Sequence, residues 1–370
     1  MGGISKWPVT PEMKALVLEV LERGEYVASG EQNIAFEREF AKYIGSKYAA
    51  VVSSGGGGLH IAMSVLGIGP GDEVIVPANT YTAVAGCPVW VGAKPVLVDM
   101  EPDTYNIDPG KIEENVTPRT KAIIPVHMYG QPADMDPIME LAERHGLFVV
   151  EDAAQGAGSK YKERKSGSIG DVNVFAFMGK NMHCYGTGGM ITTDNREYLR
   201  KIRLYRKFGH SVTLSGARAE TGDCEVPGYN YELAGWNSAL GRISLRSLDR
   251  WNKRRRENAR MYRDLLEELP NVVLPVERNW ACHVYLWYVI QAEKRNKLKE
   301  FLARKGIETS IIYSIPIHLQ TAFRQRFSFR RDMYPVTEAA TRKILSLPIG
   351  FHLKEEQIRY VARCIKKFYQ

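Results

Sequence analysis

The stretch FVVEDAAQ, residues 148–155, places two adjacent carboxylates directly after an apolar run, and it decides the fold. Its first residues are bulky and apolar, as is typical of a strand buried in a sheet. Ligands in open α/β sheets bind just beyond the carboxyl ends of the strands. Asp152 ends this strand, so we expect it either to cap the helix that follows or to hold a proton on a ring nitrogen of a ligand.

Six further runs with strand-like composition surround this stretch, and helical periodicity lies between them. The seven predicted strands cover residues 48–53, 73–77, 95–99, 122–127, 148–152, 172–177 and 189–194, and the clearest helices cover 59–66, 135–145 and 197–207. Alternation of this kind predicts an α/β fold around a mainly parallel, seven-stranded sheet.

The character of the chain changes after a long charged helix predicted over residues 239–268. Beyond it, one strand (285–291) and two helices (297–305 and 354–369) predict a small α+β domain. We therefore expect a large domain over residues 1–245, including an N-terminal arm, and a small C-terminal domain over 246–370.

Three groups at strand ends carry candidate chemistry. Gly55, Gly56 and Gly57 belong to a glycine run that follows a strand and opens a helix, where backbone N–H groups can cradle a phosphate. Tyr81 follows another strand and could stack on a planar ring, although a core tyrosine fits equally well. Lys180 follows the strand after Asp152. A lysine beside a phosphate cradle and a buried carboxylate suits a Schiff base with pyridoxal phosphate.

Composition excludes several other classes of protein. The chain of 370 residues has five scattered cysteines and histidines without ligand spacing, which predicts neither disulfides nor a metal site. Its 50 basic and 42 acidic residues give a net charge of +8. The densest basic cluster, Lys253–Arg256, lacks interleaved aromatic residues, so we interpret it as a solvated helix face and expect no nucleic-acid partner. No membrane span or secretion signal is visible, and we expect a cytoplasmic protein.

The sequence resembles the DegT/StrS family of sugar aminotransferases, a branch of the fold-type I pyridoxal-phosphate enzymes. The resemblance extends over nearly the whole chain. It is carried by the blocks at 36–40, 67–75 with Pro77 and 80–81, 92–95, 125–130, 151–155, 188–190, 228–230, 316–320 and 345–348.

This resemblance implies a homodimer that binds pyridoxal 5'-phosphate. Asp152 would pair with the pyridine nitrogen, Tyr81 would cover the ring, and Gln155 would lie near the ring oxygen. Asn230 would reach the phosphate in the neighbouring subunit. The implied reaction transfers an amino group from glutamate or glutamine to a keto-sugar, for which we expect a nucleotide-linked form, or to a keto-cyclitol.

The sequence departs from the family pattern at the phosphate and near the lysine. Gly56 and Ala176 stand where the family usually carries a threonine and a serine, so two hydroxyls are missing, and Glu232 replaces a usually basic residue. Counting back from Gly188 and Gly189 without a gap puts the family's lysine position at Asn181, whereas a one-residue gap puts it at Lys180. We favour Lys180 because only its amine can form an imine.

Two alternative functions remain open from the sequence. If Asn181 occupies the lysine position, the chain could be a pyridoxamine-phosphate-dependent sugar dehydratase, with His183 as the nearest spare base. It could also be a non-catalytic homologue that binds a sugar nucleotide, a role that would tolerate the missing hydroxyls.

Overall fold

The computed structural model describes residues 9–24, 30–177, 182–210 and 223–370. Its helices are α1 (Pro11–Glu22), α2 (Glu31–Ile44), α3 (Gly55–Val65), α4 (Thr82–Trp90), α5 (Met135–His145), α6 (Arg196–Arg206), α7 (Gly235–Leu266), α8 (Arg295–Arg304), α9 (Thr321–Phe327), α10 (Pro335–Lys343) and α11 (Glu355–Tyr369). Its strands are β1 (Tyr48–Val52), β2 (Glu73–Pro77), β3 (Lys94–Val98), β4 (Thr120–Ile123), β5 (Phe148–Asp152), β6 (Lys160–Tyr161), β7 (Arg164–Lys165), β8 (Val172–Ala176), β9 (Gly189–Thr193), β10 (Val272–Val273), β11 (Ala281–Cys282), β12 (Tyr288–Ala292) and β13 (Ile344–Leu347).

Seven strands form one sheet in the order β1-β9-β8-β5-β4-β2-β3. Only β9 runs antiparallel to its neighbours, so the other six strands point the same way. The seven strands predicted from the sequence are the seven strands of this sheet, and the predicted α/β fold class is confirmed.

Both faces of the sheet are buried, as expected for strands with helices on each side. In β2, Val74 and Val76 face one apolar cluster while Ile75 faces another, and all three side chains are inaccessible to solvent. The alternation follows from the two-residue repeat of a strand. Continuous apolar runs were therefore the correct signal for these strands.

The long helix α7 joins the sheet region to the C-terminal part of the chain. Its first half packs against α1 and α2 through Leu240, Leu245 and neighbours, and its second half packs against α11 through Tyr262 and Leu266. The C-terminal part contains the small antiparallel sheet β10-β12-β13. The domain boundary predicted at residue 245 falls inside α7 and stays a prediction.

The basic cluster in α7 is not wholly a solvated face, which corrects the sequence-based interpretation. Arg255 is fully buried and its Nε donates to the Val284 carbonyl (3.2 Å). Burial lowers the pKa of its guanidinium to about 10. Strands β6, β7 and β11, each of two residues, form a further small sheet that the sequence did not predict, since runs this short carry no periodicity. None of the described helices is both long and apolar enough to cross a membrane.

Helix α3 approaches the sheet closely because its first residues are glycines. A Cβ on Gly58 would lie 2.7 Å from Val174 Cγ1 in β8, whereas a Cβ on Gly56 would meet its nearest neighbours at 3.8 Å. Val174 is β-branched and buried in the sheet, so it has little freedom to move away. Gly58 therefore serves packing, while Gly56 has room for a side chain.

We predict opposite effects of alanine at these two positions on the stability of the cofactor-free protein. Gly58→Ala overpacks the contact between α3 and β8 and should lower the free energy of unfolding by about 1–3 kcal/mol. Gly56→Ala is the matched control. It should be neutral or stabilising by up to about 1 kcal/mol, because alanine favours helix. Urea denaturation measures both values, and equal effects would contradict the close approach of α3.

Candidate functional site

The predicted site residues that follow β1, β2 and β5 lie at one edge of the central sheet. These three strands run in the same direction, so the start of α3 after β1, Tyr81 after β2 and Asp152 at the end of β5 share that edge. Asp152 is 5% exposed, and its Oδ1 accepts a hydrogen bond from the Ala154 N–H (2.9 Å). Within the described residues, no group donates to its second oxygen.

Without a bound cation, the Asp152 carboxyl has a pKa close to neutral pH. Burial raises the pKa of its carboxyl to about 6, against the lowering effect of the Ala154 N–H. A protonated ring nitrogen beside the second oxygen would favour the ionised form. The arrangement thus suits a carboxylate whose partner is a bound cation rather than a residue of the chain.

The preceding residue, Glu151, occupies a different environment on the other side of the strand. Its carboxylate accepts hydrogen bonds from His127 Nε2 (2.8 Å) and from the backbone N–H groups of Gly167, Ile169 and Gly170 (2.8, 2.6 and 2.8 Å). Burial alone would raise the pKa of the Glu151 carboxyl. The donors outweigh this effect, so the pKa lies below its ordinary value. Glu151 is therefore an ionised anchor that fixes the end of β5.

His127 has a defined tautomer in this arrangement. Its Nδ1 accepts from the Ala133 N–H (3.1 Å), so the proton of the neutral ring lies on Nε2 and is donated to Glu151. His127 is fully buried and belongs to the support of β5. Among the described residues, no group of three or more histidine, cysteine, aspartate or glutamate side chains could hold a metal ion.

The glycine run begins α3 and leaves donors unpaired at the helix start. Ser54 is the N-cap residue, and its Oγ accepts from the Gly57 N–H (3.0 Å). Within the described residues, the N–H groups of Gly55 and Gly56 have no acceptor. Together with the helix dipole they can bind an anion. Of the three predicted glycines, Gly57 has its N–H committed to the cap.

The end of β8 lies against this helix start. A Cβ on Gly55 would fall 2.8 Å from the Cβ of Ala176, so no larger residue fits at position 55 without movement. The strand that precedes Lys180 therefore ends beside the anion-binding N–H groups. Lys180 and Asn181 themselves lie outside the described residues.

Gln155 and Tyr81 lie around a tyrosine that the sequence reasoning missed. Tyr313 Oη lies 3.4 Å from Gln155 Nε2, and the Tyr313 and Tyr81 ring centroids are 6.0 Å apart. Gln155 is held by the Tyr129 N–H, which donates to its Oε1 (3.0 Å). Burial raises the pKa of Tyr313, and the negative charge of Asp152 adds to the effect. Tyr313 comes from the C-terminal part of the chain, so no local pattern linked it to Asp152.

Asn230 does not join these groups within the chain. It is exposed and forms an isolated bridge with Lys207, beside Tyr231, whose ring packs on Gly57. Glu232, the residue that departs from the family's basic pattern, pairs with Lys207 (3.4 Å). Asn230 therefore adjoins a residue that packs on the glycine run, and its own side chain is exposed.

These groups fit a planar, phosphate-bearing ring with a protonated nitrogen. The unpaired N–H groups of Gly55 and Gly56 would receive the phosphate, and the second oxygen of Asp152 would receive the ring N–H. The hydroxyl of Thr80, at the same edge, is a buried polar atom without a hydrogen-bond partner in the described part of the chain. Such a buried atom is consistent with a ligand that completes the site.

The family model for the DegT/DnrJ/EryC1/StrS aminotransferase family matches residues 9–366. A pleiotropic regulatory protein of Geobacillus stearothermophilus is 40% identical over 97% of this chain and 95% of its own length. The dTDP-3-amino-3,4,6-trideoxy-alpha-D-glucose transaminase of Streptomyces venezuelae is 39% identical over 96% of this chain and 92% of its own length.

Solved structures agree with these relatives. DesV of S. venezuelae, in complex with a ketimine intermediate, is 39% identical and superposes with a TM-score of 0.91 over 96% of this chain and 94% of that chain. NtdA of Bacillus subtilis, with bound cofactor PMP, is 30% identical with a TM-score of 0.88 over 100% of this chain and 86% of that chain.

The raised pKa of Asp152 predicts a pH-dependent cost of folding in the cofactor-free protein. The carboxyl has a pKa of about 6 in the folded chain and 3.8 as the reference. Folding therefore favours the protonated form, and stability is lost as pH rises from about 4 through about 6. Asp152→Asn should remove this loss and be more stable than the parent at pH 7, by up to roughly 3 kcal/mol.

Asp72→Asn is the control for this experiment. Asp72 also accepts one backbone N–H, from Gly69 (3.0 Å), but it lies in a half-buried turn. Urea denaturation between about pH 4 and pH 8 should show a gain that grows with pH only for Asp152→Asn. A gain that is absent, or the same at every pH, would show that Asp152 is not the poised group.

Proposed function

The chain belongs to the DegT/DnrJ/EryC1/StrS aminotransferase family, and we propose that it transfers an amino group from glutamate or glutamine to a nucleotide-linked keto-sugar. Its reaction class is pyridoxal-phosphate-dependent transamination. The observation that carries the proposal is the buried Asp152 carboxylate, which shares the sheet edge with two unpaired N–H groups of α3 and with Gln155. The named product of the Streptomyces relative, a dTDP-linked amino sugar, supports the acceptor class.

Pyridoxal phosphate, when bound, supplies an electron sink for the charge left when the donor's α-proton is removed. The chain's own residues prepare that chemistry. Ionised Asp152 would hold the proton on the ring nitrogen, and burial would strengthen this pair because little water competes. The Gly55 and Gly56 N–H groups would hold the phosphate.

Gln155, Tyr81 and Tyr313 lie together and would contact the bound ring. The Gln155 side chain is held through Oε1 by the Tyr129 N–H, which leaves Nε2 directed toward the Tyr313 hydroxyl. Tyr81 is 55% exposed, as expected for a residue at the mouth of a site. Its neighbour Thr82 donates to Gln320 Oε1 (3.1 Å), which ties the C-terminal segment to this mouth.

Lys180 is proposed as the residue that binds the cofactor covalently and then moves protons. It follows β8, whose last residue packs on the anion-binding start of α3. Its Nζ would accept a proton from Cα of the amino-acid donor as a general base and return a proton later as a general acid. Asn181 has no group that could perform either task.

A half-reaction tests the reaction class. The protein is mixed with pyridoxal phosphate and glutamate or glutamine, and formation of pyridoxamine phosphate is followed by absorbance and chromatography. The parent should convert the cofactor, whereas Asp152→Asn and Lys180→Ala should lose at least about a hundredfold in rate. Lys297→Ala, an exposed lysine on α8, is the control and should convert the cofactor like the parent.

Reduction of the loaded parent with borohydride and peptide mapping identifies the lysine. The phosphopyridoxyl label should lie on Lys180, and a label on another lysine would refute this assignment. A parent that binds the cofactor but converts it with no amino acid tested would favour the dehydratase or the non-catalytic homologue.

The working unit is proposed to be a two-fold symmetric dimer located in the cytoplasm. Support comes from Asn230, which is exposed next to the tyrosine that packs on Gly57, and from the exposed side chains of Trp90 and Phe208. Large exposed aromatic residues around a site are typical of a surface that a second subunit covers. Asn230 would then complete the phosphate site of the partner.

Mixing two inactive variants tests this shared site. Heterodimers of Lys180→Ala and Asn230→Ala chains should contain one intact site and recover up to about half of the parental activity per dimer. A mixture of Lys180→Ala and Asp152→Asn chains is the control, because both residues would come from the same subunit and no intact site can form. Absence of recovery in proven heterodimers of the first pair would refute the dimeric site.

A further inference from the structure

A second concave region of the molecule, lined by arginines, lies along α7. One cavity of about 460 Å³ is lined by Arg256, Arg260 and Arg263 of α7 and by Arg278 from the segment that follows β10. Glu277 is the one carboxylate among its described lining residues. None of the glycines of α3, Tyr81, Asp152 or Gln155 contributes to the lining.

The charges of this cavity are only partly neutralised by the chain. Arg256 pairs with Glu277 and also donates to the His283 carbonyl (2.6 Å), and Arg278 pairs with Asp103 (2.9 Å). Arg263 donates to the Pro275 carbonyl (2.9 Å), a neutral group that does not cancel its charge. Within the described residues, neither Arg260 nor Arg263 forms an ion pair.

A second cavity continues the first. It also has a volume of about 460 Å³, shares Arg256 and Arg260 with the first cavity, and adds Lys160, Lys165 and Lys253. Asp249 and Glu257 also line it. Together the two cavities present seven cationic side chains and three carboxylates.

The spacing on α7 concentrates the positive charge on one face. Lys253, Arg256, Arg260 and Arg263 are separated by three, four and three residues, which places them side by side along the helix. Like charges at this spacing destabilise a helix. A ligand of opposite charge would relieve this repulsion, and two neighbouring guanidinium groups match two adjacent phosphoryl groups.

We propose that these two cavities form a binding site for a diphosphate-bearing anion, with Arg260 and Arg263 as its principal ligands. The cations come from α7, from the segment that contains Arg278 and from β6 and β7, and they line one continuous concave region. This geometry fits a small anion better than an extended polymer. Free diphosphate and a nucleoside diphosphate share the required chemistry.

Calorimetric titration of the cofactor-loaded protein with pyrophosphate tests this site. The parent should bind saturably, and Arg260→Ala/Arg263→Ala should bind at least about tenfold more weakly. The control variant is Arg246→Ala/Arg250→Ala, which removes two exposed charges from the same helix outside the cavities and should bind like the parent. Arg260→Lys/Arg263→Lys keeps the charge, and intermediate binding by it would show that the guanidinium geometry contributes.

Further titrations distinguish the source of the anion. If uridine diphosphate binds more tightly than pyrophosphate, and the same alanine pair weakens that binding, the ligand is a nucleotide. If the two affinities are equal, the ligand is the diphosphate itself. Both outcomes support the site. Inorganic phosphate that binds as well as pyrophosphate would refute the diphosphate preference. The proposal would be overturned if all variants bound pyrophosphate equally or if the parent showed no saturable binding. It would also be overturned if a short single-stranded oligonucleotide bound more tightly than pyrophosphate and the alanine pair abolished that binding.

Discussion

The hydrogen bonds that hold Glu151 determine the position of Asp152, and the rest of the site depends on them. Neighbouring residues of a strand point to opposite faces, so a carboxylate fixed on one face also fixes the next side chain on the other. Glu151 receives one imidazole and three backbone N–H groups. This many donors compensate the cost of burying its charge. Among the described residues, Asp152 has only one such donor, so its second oxygen is available to an external cation.

Strand direction gathers the other groups. Residues from β1, β2, β5 and β8 are separated by up to about 130 positions in the sequence, yet parallel alignment places their carboxyl ends along one edge. The glycines of α3 extend this effect, because the missing side chains let the helix start touch the end of β8. The start of α3 and the end of β8, the strand that precedes Lys180, therefore lie at the same edge of the sheet and also touch each other.

The sequence predicted the sheet well because each central strand is an apolar run bounded by polar or turn residues, and this local signal is independent of tertiary context. Asp152, Tyr81 and the glycines became candidates because they follow such strands directly, whereas Gln155 became one through the resemblance to the family. Tyr313 could not be predicted in this way. Its position depends on how the C-terminal segment folds back over the edge of the sheet, where Tyr129 Oη donates to the Ile312 carbonyl. Burial of Arg255 was equally inaccessible, since a basic run on a helix gives no sign of which member faces the core.

In the proposed site, the two missing hydroxyls would change how the phosphate is held. Ser54 is committed to the Gly57 N–H, and Ala176 offers only a methyl group to the helix start. The backbone N–H groups of Gly55 and Gly56 would then provide the interaction from within the chain, and they are fixed by α3 itself rather than by side-chain rotamers. Such a cradle loses little conformational entropy on binding, which offsets part of the missing hydrogen-bond energy of about 0.5–1.5 kcal/mol per hydroxyl. In the proposed dimer, the exposed Asn230 would supply a further donor to the phosphate of the neighbouring subunit, which would link cofactor retention to subunit association.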